Sequence, residues 1–115
     1  MSIRITTDAS AIPGAVALPS PVDLHMMLVS TKPQEMATIE YDLDPAHDVF
    51  FDEGGALVKT VRQRQMVDDV GTDVWRRVHL ACPTPPSAMG SVDVNVTVND
   101  ASGGFQHSLC TVVIL

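Results

Sequence analysis

Aromatic residues are scarce in this 115-residue chain, which has one Trp, one Tyr and three Phe. Valine is abundant by contrast, and a core rich in valine and poor in aromatic rings favours β-strands. Carbohydrate-binding surfaces depend on exposed rings, and we expect the core to use most of these five. The shortage of rings therefore counts against a sugar-binding platform.

Basic residues are also few, because seven Lys and Arg stand against fourteen Asp and Glu for a formal net charge of -7. That charge repels phosphate backbones and anionic lipid surfaces, so we expect neither nucleic acid nor a membrane as partner. Positive charge is concentrated at Arg62, Arg64, Arg76 and Arg77. On strands these four would form a basic strip, either as solvated edges or as a contact for an acidic neighbour, including a second copy of the chain.

Long hydrophobic runs are missing. Met1 to Asp8 lack the apolar stretch of a secretory signal peptide, and Val22 to Val29 are interrupted by Asp23 and His25. No segment approaches the roughly twenty apolar residues of a membrane-spanning helix. We therefore expect synthesis in the cytoplasm without a signal peptide, with a virion as the other location.

Catalytic signatures are absent as well. The chain has no G-x-S-x-G, no H-E-x-x-H and no glycine loop that could cradle a phosphate. The pairs Gly54-Gly55 and Gly103-Gly104 are typical of turns. We expect no enzyme activity, no catalytic residues and no cofactor.

Alternating patterns of period two dominate what is present. Val92 to Asn99 alternate four valines with four polar residues, a turn cluster follows, and Phe105 to Leu115 are rich in β-branched residues, which predicts a β-hairpin. Ala56 to Asp69 fit either a strand or a short helix, and we favour the strand. The further predicted strands are Ile3 to Ile5, Ala11 to Leu18 at a sheet edge, Val22 to Leu28, Ile39 to Leu43 and Val74 to Cys82, the last stopped by a stiff loop at Pro83 to Pro86.

About seven short strands with turns every ten residues or so predict an all-β, antiparallel β-sandwich in a single domain, residues 1–115. The segment VDVNVTVNDASGGFQHSLCTVVIL resembles the immunoglobulin-like and fibronectin-like modules of bacterial and phage proteins. The resemblance implies an immunoglobulin-like fold. The usual markers differ here, because Cys82 and Cys110 are too close for the intersheet disulfide and no Tyr lies near the start of the Val92 strand.

Two copies of H-x-x-C, His79 to Cys82 and His107 to Cys110, supply two His and two Cys, the ligands of a tetrahedral zinc site. Residues i and i+3 of a strand point to opposite faces, however, so each copy would need a bulge to chelate. We therefore assign no metal site and keep His79, Cys82, His107 and Cys110 as candidates only. Both cysteines are expected to be free thiols, and a disulfide between them is the alternative.

Two loops are rich in carboxylates, which calcium prefers, but neither matches a calcium-loop pattern and solvated acidic turns are the simpler interpretation. They contain Asp42, Asp44 and Asp48, and Asp68, Asp69 and Asp73.

Cys110 to Leu115 are apolar on both faces of the predicted strand, so we expect this run to be covered by a sheet, by another subunit, or by both. A sandwich without a visible active site is typical of a protein that presents a surface to a partner. The sequence favours a non-catalytic structural or interaction module, such as a phage capsid decoration or cement protein, that contacts itself or a larger assembly. The alternative is a small ligand-binding module for a metal ion or carbohydrate.

Overall fold

A computed structural model describes residues 2–83 and 90–115, which form ten β-strands in two sheets. The first sheet has the strand order β1-β3-β8-β5-β6, and the second has the order β2-β10-β9-β4-β7. The strands are β1 (Ile3–Ile12), β2 (Ala15–Val16), β3 (Ser20–Ser30), β4 (Gln34–Leu43), β5 (Phe50–Glu53), β6 (Ala56–Val58), β7 (Thr60–Asp68), β8 (Thr72–Ala81), β9 (Gly90–Asn99) and β10 (Phe105–Ile114).

The prediction of an all-β fold is confirmed, whereas the expected number of about seven strands is too low. The sequence did not predict the short hairpin of β5 and β6, whose few residues carry no clear alternation. The strand interpretation of residues 56–69 is confirmed, but Lys59 divides them into β6 and β7, which belong to different sheets. Strands pair antiparallel throughout the described residues except β2, which runs parallel to β10. Of the predicted proline loop, residues 84–86 lie outside the described part.

The core fills the space between the two sheets. On β9 all four alternating valines are buried, with at most 1% of their surface exposed, as their period-two spacing predicts. Leu24, Met26 and Leu28 of β3 are equally buried in the opposite sheet. The core therefore consists mainly of Val, Leu, Ile and Met, in keeping with the scarcity of aromatic residues.

Within the chain, the C-terminal run is covered on one face only, and cover of its other face by another subunit stays a prediction. Side chains alternate along β10, so every second residue faces the core and the others face away from it. Cys110, Val112 and Ile114 are buried, while Thr111, Val113 and Leu115 are exposed.

Side chains close one lateral opening of the sandwich, where β1 of the first sheet approaches β10 of the second. The backbone N–H of Ile5 donates to Oε1 of Gln106 at 2.8 Å, and that of Ala9 donates to Oγ of Ser108 at 2.8 Å. At the opposite opening, Nε2 of Gln63 on β7 donates to the carbonyl oxygen of Trp75 on β8 at 3.3 Å. Polar side chains thus form hydrogen bonds with backbone groups of strands that face a gap between the sheets.

Two buried carboxylates tie the β3–β4 turn, the β9–β10 turn and the start of β1 together. The hydroxyl of Ser2 donates to Oε2 of Glu35 at 2.6 Å, and its backbone N–H donates to Oδ2 of Asp100 at 3.0 Å. The hydroxyl of Ser30 donates to the other oxygen of Glu35 at 3.0 Å.

Within residues 2–83 and 90–115, no helix has the length and apolar content needed to cross a bilayer.

Candidate interaction surface

The outward face of the second sheet carries a line of three exposed apolar residues on β10. Phe105, Leu109 and Val113 expose 57%, 58% and 43% of their surface. They are four residues apart, so they lie on one face about 14 Å from one to the next. We call these three residues the β10 column. The alternation of the strand places them there, because Cys110, Val112 and Ile114 take the core positions.

Polar residues of β9 and β4 lie beside the β10 column. Asn95 is the cross-strand partner of Leu109 and, on its other side, of Asp42. Asp93 accepts a hydrogen bond from Oγ1 of Thr111 at 2.7 Å, which fixes its carboxylate beside the column. The face therefore changes from apolar on β10 to acidic and polar on β9 and β4.

A shallow depression of about 520 Å³ lies where this face meets the β4–β5 loop. Residues from β4, β9 and β10 line it together with the start of the loop, and three of them are carboxylates. They are Asp42, Leu43, Asp44, Pro45, Asp93, Asn95 and Leu109.

The loop beside the depression is fixed from within by a lysine. Nζ of Lys59 donates to the carbonyl oxygens of Asp44 at 3.2 Å, of Val49 at 2.8 Å, and of His47. The same ammonium lies 4.2 Å from the centroid of the Phe50 ring. Burial lowers the pKa of Lys59. Its charge is thus turned towards the loop backbone, where the carboxylates of Asp48 and Asp44 act on it electrostatically.

The four arginines do not form one basic strip. Arg62 and Arg64 lie on β7, at the edge of the second sheet, where Arg62 pairs with Glu40 at 2.8 Å. Arg76 and Arg77 lie on β8 of the first sheet and point to opposite sides of it, Arg76 towards Glu53 at 2.9 Å and Arg77 outward to Asp23 at 2.9 Å. Arg62, Arg76 and Arg77 thus each pair with a nearby carboxylate, and the arginines are divided between the two sheets. The prediction of one basic strip is wrong.

The structure does not bring the four candidate metal ligands together. His79 and His107 are exposed on different sheets, Cys110 is buried in the core, and Cys82 lies half-buried at the end of β8 with its sulfur 3.9 Å from Oδ2 of Asp48. No group of three His, Cys, Asp or Glu side chains suited to a metal ion occurs among residues 2–83 and 90–115. His107 and Cys110 lie on opposite faces of β10, whose register with β9 is unbroken, and Cys82 lies beyond the end of β8.

Both cysteines are thiols. Burial is the main cause that raises the pKa of Cys110 to about 11, and the nearby Asp93 adds to it.

The acidic loops serve local structure instead. Oδ1 of Asp44 accepts the backbone N–H of Ala46 at 2.9 Å, and Oδ1 of Asp68 accepts those of Val70 at 3.0 Å and Gly71 at 2.8 Å. Gly71 has φ +116°, which favours glycine at this turn. These two carboxylates cap turns.

Sequence reasoning missed a second feature, on the outward face of the first sheet. Trp75 exposes 53% of its surface there, and the His25 ring lies against it with 4.2 Å between ring centroids and a 34° tilt. Nε2 of His25 is 2.8 Å from Oδ1 of Asp73. Trp75 and Phe105 are both exposed, so the expectation that the core uses most of the rings holds fully only for Tyr41 and Phe51.

Comparison with known proteins identifies no family. No family model matches the chain, and no curated protein matches it. Among solved structures, it is similar to the alkylpurine DNA glycosylase AlkC of Pseudomonas fluorescens bound to DNA containing an abasic site analog, with a TM-score of 0.55 and 14% identity over 95% of this chain. The chain spans 30% of the glycosylase chain. A FixG-related protein from Vibrio parahaemolyticus matches at a TM-score of 0.47 and 9% identity, over 97% of this chain and 94% of that one. The likeness to the glycosylase concerns the fold alone.

Proposed function

We propose that this chain is a non-catalytic interaction module that associates with a second copy of itself through the outward face of its second sheet. The β10 column is the observation that carries the proposal. Three apolar side chains on one face lose unfavourable contact with water when another surface covers them, and exposed apolar patches mark interaction sites.

The spacing of the β10 column suits a second copy. A two-fold axis through Leu109, perpendicular to β10, sets Leu109 against its equivalent and places Phe105 of one copy opposite Val113 of the other. A large ring then meets a small side chain at each end, so one surface serves both partners, as an isologous dimer requires. Asn95 and Asp42 lie in the same cross-strand row as Leu109, so this arrangement requires the two copies to overlap mainly through β10 and to tilt apart towards β4.

The kinship with immunoglobulin-like modules is part of the same proposal. Its support is the strand order, since β1-β3-β8 beside β10-β9-β4 follows the A-B-E and G-F-C parts of that fold. The hairpin β5–β6 and the total of ten described strands are departures from it. A capsid decoration or cement protein of a virion is the assembly we propose for such a module, because these proteins act through contacts between folded surfaces.

The glycosylase neighbour is described as bound to DNA, but a likeness at 14% identity concerns the fold alone. We propose neither a nucleic acid nor an anionic membrane as partner. The formal charge of -7 opposes both, and carboxylates rather than basic side chains line the depression beside the β10 column.

Light scattering of the purified protein over a range of concentrations tests the proposal. We expect a dimer whose mass falls to that of the monomer in Leu109→Asp. The matched control is Val70→Asp, which changes an apolar residue that exposes 87% of its surface in the β7–β8 turn and should leave the dimer intact. A wild-type monomer at every concentration, or equal dimerisation of both variants, would refute the proposal.

A further inference from the structure

We propose that Trp75 is a stacking platform for a hexopyranose ring, which makes the outward face of the first sheet a carbohydrate-binding site. The apolar C–H face of a sugar ring packs against an aromatic ring, while its hydroxyl groups need polar partners around the edge. Trp75 provides the ring, with 53% of its surface exposed. This site is separate from the β10 column, which lies on the other sheet.

The indole is held in place before any ligand binds. His25 is the cross-strand partner of Trp75 and packs against it at 4.2 Å between ring centroids. Asp73 fixes the imidazole in turn, with 2.8 Å between Nε2 and Oδ1. An aromatic ring held against its cross-strand neighbour loses little conformational entropy on binding, which favours recognition by a single platform.

Hydrogen-bonding groups border the ring on both sides along β8. Asp73 and Arg77 are two residues away in either direction and project from the same face. Asp73 uses one oxygen for His25, and Arg77 uses Nε and Nη2 for Asp23, at 2.9 and 3.2 Å. The second oxygen of Asp73 and Nη1 of Arg77 have no hydrogen-bond partner among the described residues. They supply an acceptor and a donor at the edge of the platform for sugar hydroxyl groups.

The polar residues that border Trp75 argue against a protein partner at this position. Stable protein contacts bury about 800 Å² on each side around an apolar centre from which charged residues are depleted. Trp75 is instead bordered by Asp73, Arg77, Asp23 and His25, with the half-buried Met27 beside Asp73 and no second exposed apolar residue in line with it on β8. One ring within a polar frame matches a small ligand that is apolar on its face and polar at its rim.

Trp75 is the only tryptophan of the chain, so intrinsic fluorescence reports on this site alone. The test is a titration with cellohexaose, maltohexaose and chitohexaose, measured by tryptophan emission and by isothermal calorimetry. We expect a saturable emission change with at least one of them. No saturable change with any of the three overturns the proposal. An emission shift that depends only on protein concentration, without sugar, places a protein contact at Trp75 and overturns it as well.

Calorimetry of variants decides which residue is responsible for sugar binding. Trp75→Ala should weaken binding at least about tenfold and Trp75→Phe should retain part of it, because the smaller ring still stacks. Asp73→Asn keeps the shape of the side chain and should weaken binding less than Trp75→Ala. Met66→Ala removes an exposed apolar side chain of β7, on the other sheet, and serves as the matched control, with affinity unchanged. Equal losses in Met66→Ala and Trp75→Ala, or none in Trp75→Ala, contradict the assignment. Circular dichroism confirms that each variant is folded.

Discussion

The hydroxyl of Ser108 accepts the backbone N–H of Ala9 at 2.8 Å, although the two residues lie in different sheets and are 99 positions apart. Both residues are buried, so without this contact the N–H would face the interior unpaired. Gln106, two residues earlier on β10, does the same for Ile5. One face of β10 thus closes the sandwich against β1 while the other carries the β10 column.

Replacing Ser108 should therefore destabilise the fold. Ser108→Ala leaves the Ala9 N–H without its partner, and we expect the free energy of unfolding to fall by about 1–3 kcal/mol. Urea denaturation followed by circular dichroism measures the change. Ser10→Ala, an exposed serine on β1 next to Ala9, is the control and should change it by less than about 0.5 kcal/mol. Equal effects of the two substitutions would mean that the Ser108 hydroxyl does not hold β1.

The paired carboxylates at the turn end of the sandwich predict how stability depends on pH. Hydrogen bonds from Ser102 and the backbone of Ser2 hold the pKa of Asp100 well below its usual range, and the Ser2 hydroxyl likewise lowers the pKa of Glu35. Because both pKa values are lower in the folded protein, their stabilisation is fully present above the usual carboxyl range of about 4 and is lost as the pH falls towards the folded-state values.

Thermal unfolding between pH 7 and pH 2.5 measures this dependence. In Asp100→Asn the loss of stability on acidification should be smaller than in the wild type, because one of the two titrating groups is gone. Asp69→Asn, at an exposed position of the β7–β8 turn, is the control and should keep the wild-type profile. A wild-type profile in Asp100→Asn would show that the carboxyl group of Asp100 does not contribute.

The two thiols should react at different rates. Cys110 is buried and its pKa is raised to about 11, so at pH 8 only about one part in a thousand is thiolate, whereas Cys82 is half-buried at the end of β8. With Ellman's reagent we expect one fast and one slow thiol in the folded protein and two fast thiols in urea. Cys82→Ser should remove the fast phase. A fast phase that persists in Cys82→Ser would mean that Cys110 is accessible.

Period-two alternation predicted most of the strands, because a strand buried on one face leaves that pattern in its sequence. The four valines of β9, at every second position from Val92 to Val98, are buried as their spacing indicates. Ala56 to Asp69 have mixed spacing because two short strands of different sheets share the segment. Contacts such as that of Ser108 with Ala9 cannot be predicted this way, since they depend on how one sheet lies over the other.

The candidate surfaces were only partly accessible to sequence reasoning. Extending the alternation of Val92 to Asn99 through the tight turn would have placed Leu109 and Val113 on the outward face, opposite Cys110. Because Cys110 to Leu115 carry apolar residues on both faces, the alternation of inward and outward positions is not visible in that segment. For Trp75, its place beside Arg76 and Arg77 in a polar segment was the available signal, but the contact with His25 depends on the pairing of β3 with β8.

Disulfide cross-linking through Leu109 tests the central claim most directly, because a two-fold axis through this residue brings it against its own equivalent. Leu109→Cys in a Cys82→Ser background should form a covalent dimer under mild oxidation much faster than Val70→Cys in the same background, which reports random collision. The account predicts that the cross-linked dimer keeps the circular dichroism of the wild type. Equal rates of cross-linking at positions 109 and 70 would contradict association through the β10 column.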